Sequence, residues 1–192
     1  CVFRVHSFDS RSVYSVVEDQ MQVTHAMMLA DCYQALRMLS THPSIDEGRI
    51  GIAGWSLGGT VALYSAWEPI AESLAPAGER FAAHLPFYPA AHMRTEVQRW
   101  SDRPILALHG SDDDWVPLKL LEGLVEDLTP HGVDLRVHVY EGAPHSFDSV
   151  EPLDFDPRAI RLDEHRTVTI DSEGSMWGEI EPGVIMPLNE PG

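Results

Sequence analysis

The sequence predicts an α/β fold in which a mostly parallel sheet carries helices on both faces. Apolar runs of strand length alternate along the chain with segments of helical periodicity, and strands joined by helices pair in parallel. The run at residues 103–109 is almost continuously apolar, which is typical of a strand buried on both faces of such a sheet. These two observations set the fold class.

The first third of the chain is predicted to contain a strand, a long helix and a second strand. Residues 2–8 alternate apolar and polar side chains, as a half-buried strand does. A helix at residues 23–40 has one apolar face, formed by Leu29, Cys32, Tyr33, Leu36 and Leu39. Pro43 disfavours helical geometry in the residue before it, so this helix ends near His42. The apolar run at residues 49–53 is the second strand.

The rest of the main sheet is predicted from shorter patterns. In order, these are a helix at residues 60–66, a connection at 68–80, a strand at 81–88, a connection at 89–101 with room for a short helix, and the strand at 103–109. Pro117 occupies the favoured first position of a helix that ends before Pro130 and Gly132. Residues 135–140 alternate and form the last strand of the sheet.

The composition changes near residue 150, and this divides one domain into two predicted parts. Residues 1–150 form the core, and residues 151–192 form a C-terminal extension packed on it. Within the extension, residues 167–170 and 176–180 flank a polar turn, which predicts a hairpin. Residues 187–192 are predicted to be a loose tail.

Charge and composition exclude several classes of partner. The net charge of −17, from 13 basic and 30 acidic side chains, argues against nucleic acid and anionic membranes as partners. Two cysteines, Cys1 and Cys32, imply no disulfide framework. There is no run of eighteen apolar residues to span a membrane and no visible signal peptide. We therefore expect a cytoplasmic protein, or a periplasmic or secreted one if a signal was removed.

The chemistry centres on the stretch Gly54-Trp55-Ser56-Leu57-Gly58-Gly59, which lies between a predicted strand and a predicted helix. This context matches the G-x-S-x-G nucleophile elbow, in which a tight turn exposes the serine hydroxyl. Gly54 and Gly58 are expected because a Cβ at either position would collide with neighbouring backbone. The Leu57 N–H is left at a helix N-terminus, where it can stabilise negative charge as part of an oxyanion hole.

A serine nucleophile needs a base, and the base needs an orienting carboxylate. Two loops that follow predicted strands supply them in the chain order Ser, acid, His of α/β-hydrolases. Residues 109–117 carry Asp112, Asp113 and Asp114, and residues 140–148 carry His145. Among ten histidines, His145 has the right context. The pattern alone leaves the choice among the three aspartates open.

Four segments together resemble the dienelactone hydrolase family of α/β-hydrolases, and they spread over about two thirds of the chain. They are residues 54–59, Phe87-Tyr88-Pro89, His109-Gly110 through Asp113 to Val116-Pro117, and Tyr140 through Gly142-Ala143 to His145-Ser146-Phe147. In the family the acid is the third residue after the His-Gly pair, which implies Asp113. The resemblance also implies that Arg11, in Ser7-Phe8-Asp9-Ser10-Arg11, contacts a substrate carboxylate.

The chain departs from the family at three places. Dienelactone hydrolase itself uses a cysteine nucleophile, whereas this chain has Ser56, which suggests a broader serine esterase. The family has about three strands before the one predicted at residues 2–8, so the resemblance implies an N-terminally truncated member. The loop that donates the second oxyanion N–H normally lies among those strands. The segment after residue 150 does not resemble the family's terminal helix.

The resemblance therefore implies a serine hydrolase that cleaves carboxylic esters or lactones through an acyl-enzyme intermediate. Candidate pocket residues are Trp55, Tyr88, Trp115 and Phe147, besides Arg11. We expect no metal, because neither an H-E-x-x-H motif nor paired cysteines occur, and no cofactor. An exposed sheet edge would favour a homodimer. The alternatives are a serine peptidase of the prolyl oligopeptidase type, or a noncatalytic fragment or binding domain that retains the triad.

Overall fold

The computed structural model describes residues 1–16, 19, 21–152, 161–181 and 184–188. Its helices are α1 (His25–Ser40), α2 (Leu57–Tyr64), α3 (Glu68–Leu74) and α4 (Leu118–Leu128). Its strands are β1 (Ile52–Trp55), β2 (His84–Phe87), β3 (Met93–Thr95), β4 (Ile105–Gly110), β5 (Leu135–Tyr140), β6 (Val168–Ile170), β7 (Met176–Glu181) and β8 (Val184–Pro187). None of the described helices is both long and apolar enough to cross a bilayer.

Four strands form an entirely parallel sheet in the order β1-β2-β4-β5. The register pairs Ile52 with His84, His84 with Ile105, and Ile105 with Leu135, so these four side chains lie on one face. Because all four strands run in the same direction, their carboxyl ends meet at one edge of the sheet. The loops that follow β1, β4 and β5 therefore converge there, and they carry the residues singled out by sequence.

The described helices cover one face of this sheet. Tyr33 and Leu36 of α1 pack in a cluster with Ile52, and three leucines of α4 pack with Ile105, Ala107 and Leu135. The opposite face carries Leu106, which is 41% exposed. The predicted α/β class is confirmed, but helices on both faces were expected, and the described part of the chain places them on one.

A second sheet of order β3-β6-β7-β8 joins three strands that follow position 150 to β3 of the preceding part. The predicted hairpin is confirmed: β6 and β7 pair antiparallel across the turn held by the Asp171 carboxylate. β6 also pairs in parallel with β3, and Ile170 is buried in the same core cluster as α4. Of the predicted loose tail, Pro187 lies in β8, while residues 189–192 lie outside the described residues.

Three local segments differ from their predicted structures. Residues 2–8 do not form a strand, since no described strand pairs with them, and Asp9–Arg11 is a 3₁₀ turn. Residues 68–74 are a helix rather than a connection. Pro69 lies in its first turn, where a missing N–H costs nothing, and Ala71 is fully buried. The segment at 89–101 contains β3 and no described helix.

Candidate active site

The elbow forms as the motif predicts. Ser56 lies between β1 and α2 with φ 52° and ψ −113°, a strained conformation for a residue with a side chain. A Cβ on Gly54 would lie 2.0 Å from the carbonyl oxygen of Gly58, so only glycine fits there. The prediction for Gly58 was wrong, because a Cβ there would meet nothing within 4 Å. Gly59 is the second position without space, since its Cβ would lie 2.3 Å from Phe87 O.

Three side chains from three loops meet at the carboxyl edge of the sheet. His145 Nε2 lies 2.9 Å from Ser56 Oγ, and His145 Nδ1 lies 2.7 Å from Asp113 Oδ2. His145 and Asp113 are buried, with 7% and 5% of their surface exposed. Because a carboxylate only accepts hydrogen bonds, Nδ1 carries the proton, which leaves Nε2 free to accept from the serine hydroxyl.

The acid is fixed by its own loop. Asp113 Oδ1 accepts hydrogen bonds from the backbone N–H groups of Trp115 (3.0 Å) and Val116 (2.8 Å). The fully buried His109 donates from Nε2 to the carbonyl oxygen of Val116, and burial lowers its pKa. Asp112 instead accepts from Ser111, and Asp114 pairs with Arg161. Of the three neighbouring aspartates, Asp113 is therefore the one bonded to His145.

Aromatic side chains surround the base. The rings of Tyr88 and Trp115 lie 4.5 and 5.1 Å from the His145 ring, measured between centroids, and Phe147 lies 5.6 Å from Tyr88. Trp55 stacks on Phe87 at 4.9 Å and remains 49% exposed. The four aromatic residues predicted as pocket walls thus lie together around the elbow and the histidine loop.

Arg11 is placed differently from the expectation that it faces a substrate carboxylate. Its guanidinium makes two hydrogen bonds to Asp31 of α1, at 2.7 and 3.0 Å, and a third to Ser7 O. The hydrogen bond from Arg11 holds the pKa of Asp31 below its usual range. The structure therefore gives Arg11 an internal partner, and its charge is already balanced.

One residue of the site was not found from sequence. Asp148, which sequence reasoning passed over, accepts hydrogen bonds from Trp55 and Tyr88. Its position three residues after His145 was the available signal. Leu57, the predicted oxyanion donor, is the first residue of α2 and directly follows Ser56. The described residues contain no group of three or more His, Cys, Asp or Glu side chains that could hold a metal ion.

Comparison with known proteins identifies the family of the chain. The family model described as "Dienelactone hydrolase family" matches residues 5–169, which is most of the chain and extends past residue 150. The chain belongs to the dienelactone hydrolase family. The matched range includes the elbow, the acid loop and the histidine loop.

Individual relatives are more distant. A curated Bradyrhizobium protein named "Probable 2-oxo-3-(5-oxofuran-2-ylidene)propanoate lactonase" is 30% identical over 122 residues, covering 62% of this chain and 48% of that protein. Esterase 2 of the planctomycete Thermogutta terrifontis superposes with a TM-score of 0.54 at 22% identity, covering 65% of this chain and 56% of that one. Its form phosphorylated by paraoxon gives 0.53 at 24% identity, covering 65% and 55%. The structures show an α/β-hydrolase fold, and the chain spans about half the length of these relatives.

Proposed function

We propose that this protein is a serine hydrolase that cleaves carboxylic esters or lactones through an acyl-enzyme intermediate. The observation that carries the proposal is the continuous hydrogen-bonded series Ser56–His145–Asp113, with Oγ–Nε2 and Nδ1–Oδ2 distances of 2.9 and 2.7 Å. Such a series turns a weakly nucleophilic hydroxyl into a nucleophile, because the base is already within reach of its proton. Family membership and the names of the relatives support the same reaction class.

The first half of the reaction forms the acyl-enzyme. Ser56 Oγ attacks the ester carbonyl carbon while its proton passes to His145 Nε2. The imidazolium that forms is stabilised by Asp113, whose carboxylate is held by two backbone N–H groups. His145 then returns the proton to the departing alcohol oxygen, and the carbon–oxygen bond of the ester breaks. For a lactone, the departing alcohol remains attached to the acyl group.

The second half repeats these steps with water as the nucleophile. His145 removes a proton from water, the hydroxide attacks the acyl carbon, and Ser56 leaves with the proton from Nε2. In both halves negative charge develops on the carbonyl oxygen. The Leu57 N–H at the start of α2 is the donor that we assign to it, and the helix N-terminus adds a favourable partial charge. Loss of one such donor typically lowers the rate on the order of 100-fold or more.

The aromatic surroundings favour a small-molecule acyl substrate. Tyr88 and Trp115 flank the base, and Phe147 extends the wall that Tyr88 begins. Because Arg11 is paired with Asp31, we do not assign recognition of a substrate carboxylate to it. The net charge of −17 argues against nucleic acid or an anionic membrane as a partner. A homodimer stays a prediction, which sedimentation of the purified protein would check.

A fluorophosphonate probe tests the proposal directly, because it phosphonylates an activated serine. We expect labelling of folded wild-type protein, no labelling of Ser56→Ala, and hydrolysis of p-nitrophenyl acetate by wild type alone. Wild type that labels no more than Ser56→Ala would refute the proposal and favour a noncatalytic protein. Faster cleavage of a peptide p-nitroanilide than of the matched p-nitrophenyl ester would instead indicate a peptidase.

A further inference from the structure

Asp148 joins two segments of the site that are distant in sequence. One carboxylate oxygen, Oδ2, accepts a hydrogen bond from Trp55 Nε1 at 2.6 Å, and the other, Oδ1, accepts one from the Tyr88 hydroxyl at 2.8 Å. Trp55 is the residue before Ser56, and the Tyr88 ring lies 4.5 Å from the ring of His145. We call Asp148 with these two donors the Asp148 clamp.

We propose that the Asp148 clamp positions His145 on Ser56, so that Asp148 is a positioning residue for the hydrolysis; this inference rests on the proposed function. The clamp links the histidine loop to β1 through Trp55 and to the turn after β2 through Tyr88. The relative position of nucleophile and base is thereby set by a carboxylate that contacts neither of them directly.

The backbone around His145 needs such a restraint. Ser146 has φ 58° and Tyr88 has φ 36°, both in the left-handed region that residues with a Cβ rarely adopt. A residue in such a conformation persists only where its surroundings hold it. Ser146 directly follows the base, and Tyr88 packs against it. The hydrogen bond from Tyr88 to Asp148 lies at this strained contact, and the bond from Trp55 connects it to the residue before Ser56.

A carboxylate at position 148 suits both hydrogen bonds of the Asp148 clamp. A carboxylate accepts both bonds at once, and a bond to a charged acceptor is stronger than one between neutral groups. Burial, and then the hydrogen bond to Asp148, raise the pKa of Tyr88, so its hydroxyl keeps the proton that it donates. An asparagine can supply one acceptor oxygen but would turn its NH₂ toward the second donor.

Because the clamp lies at the surface, its effect on the geometry of the site can be measured apart from its effect on stability. Asp148 and Trp55 are exposed, so their contact encloses little of the hydrophobic core. Removing it should therefore change the geometry of the site more than the free energy of unfolding. Small misplacements of catalytic groups, on the order of 1 Å, lower rates by about 100-fold.

The variants isolate each bond. Asp148→Ala removes both acceptors, Trp55→Phe removes the indole N–H and leaves a ring over Phe87, and Tyr88→Phe removes the hydroxyl and leaves the ring beside His145. Glu151→Ala is the matched control, because it removes one negative charge from an exposed position in the same loop. Each protein is measured for kcat and KM with p-nitrophenyl acetate, for the rate of fluorophosphonate labelling, and for Tm.

We expect Asp148→Ala to lower kcat and the labelling rate by about 10- to 100-fold, with KM and Tm close to wild type. Asp148→Asn should fall between Asp148→Ala and wild type. The double variant Trp55→Phe/Tyr88→Phe should lower kcat at least as far as Asp148→Ala, since Tyr88 also hydrogen-bonds Ser146. Adding Asp148→Ala to it should change nothing further, because both bonds to Asp148 are already lost. Glu151→Ala should retain wild-type rates.

Two results would overturn the inference. The first is Asp148→Ala with wild-type kcat and labelling, whatever its Tm. The second is full additivity of Asp148→Ala with the double variant, which would mean that Asp148 acts through other groups. Wild type that neither hydrolyses the ester nor labels would overturn the proposed function together with this inference, so the two failures are distinguishable.

Discussion

Replacing Asp113 by asparagine should nearly abolish hydrolysis while preserving the shape of the acid loop. One oxygen of Asp113 accepts two backbone N–H groups, from Trp115 and Val116. In the Asp113→Asn variant the amide oxygen must take this place, because an NH₂ group there would face two donors. The NH₂ group is then directed at His145 Nδ1, which has to become an acceptor.

The reversal at Nδ1 moves the imidazole proton to Nε2. That nitrogen lies 2.9 Å from Ser56 Oγ, so it would donate to the serine instead of accepting its proton. A wrong tautomer of this kind lowers kcat by about 10⁴-fold. At 1.36 kcal/mol for each factor of ten, the loss is about 5 kcal/mol of transition-state stabilisation. Few single hydrogen bonds have so large an effect, so the measurement is decisive.

The assay is hydrolysis of p-nitrophenyl acetate at pH 7, with circular dichroism to verify folding. Asp112→Asn and Asp114→Asn are matched controls, since they make the same change at the flanking positions of the same loop. The Asp112 carboxylate accepts a hydrogen bond from Ser111, and Asp114 pairs with Arg161 on the surface. Both controls should retain near wild-type rates. A folded Asp113→Asn variant that loses less than about tenfold would refute the tautomer argument.

Two further predictions concern stability. Gly59→Ala places a Cβ 2.3 Å from a backbone carbonyl oxygen and should lower the free energy of unfolding in urea by at least about 2 kcal/mol. Gly58→Ala places its Cβ in a helix with nothing within 4 Å, so its free energy of unfolding should equal or exceed that of wild type. Equal losses of stability in the two variants would contradict this reasoning. Burial lowers the pKa of His84 from 6.5 to about 4, so the unfolded chain binds its proton first as the pH falls. The contribution of His84 to the free energy of unfolding is therefore fully present above pH 6.5 and declines toward pH 4, by about 2 kcal/mol at pH 5. In His84→Gln the urea midpoint of unfolding should change less between pH 7 and pH 5 than in wild type. The same change of midpoint with pH in both proteins would argue against this role of His84.

The site was more predictable from sequence than much of the surrounding fold. The elbow is a local motif, in which glycine at position 54 follows from a steric contact with Gly58 only four residues away. The loops after β4 and β5 were found because the carboxyl ends of parallel strands share one edge. Asp113 was chosen over its neighbours only through resemblance to the family. The hydrogen bonds that hold it come from backbone N–H groups, which every residue except proline has, so the sequence does not reveal them.

The parts that sequence missed depend on distant partners. Arg11 was expected at the substrate, but its partner Asp31 lies twenty positions away on α1. β3 is three residues long and exists because β6 pairs with it from the far end of the chain. Asp148 was missed for the same reason, since its donors lie 93 and 60 positions away. Local periodicity contains no information about such pairs.

The parallel pairing of β3 with β6 also affects how the chain can fold during its synthesis. Met93 pairs with Val168, which the ribosome adds about 4 to 15 s later at ~5–20 residues per second. Throughout that interval the peptide groups of residues 93–95 that will bond to β6 are open to water, or to strands of other nascent chains. Slower elongation between these two segments therefore prolongs the exposure of an unpaired strand edge.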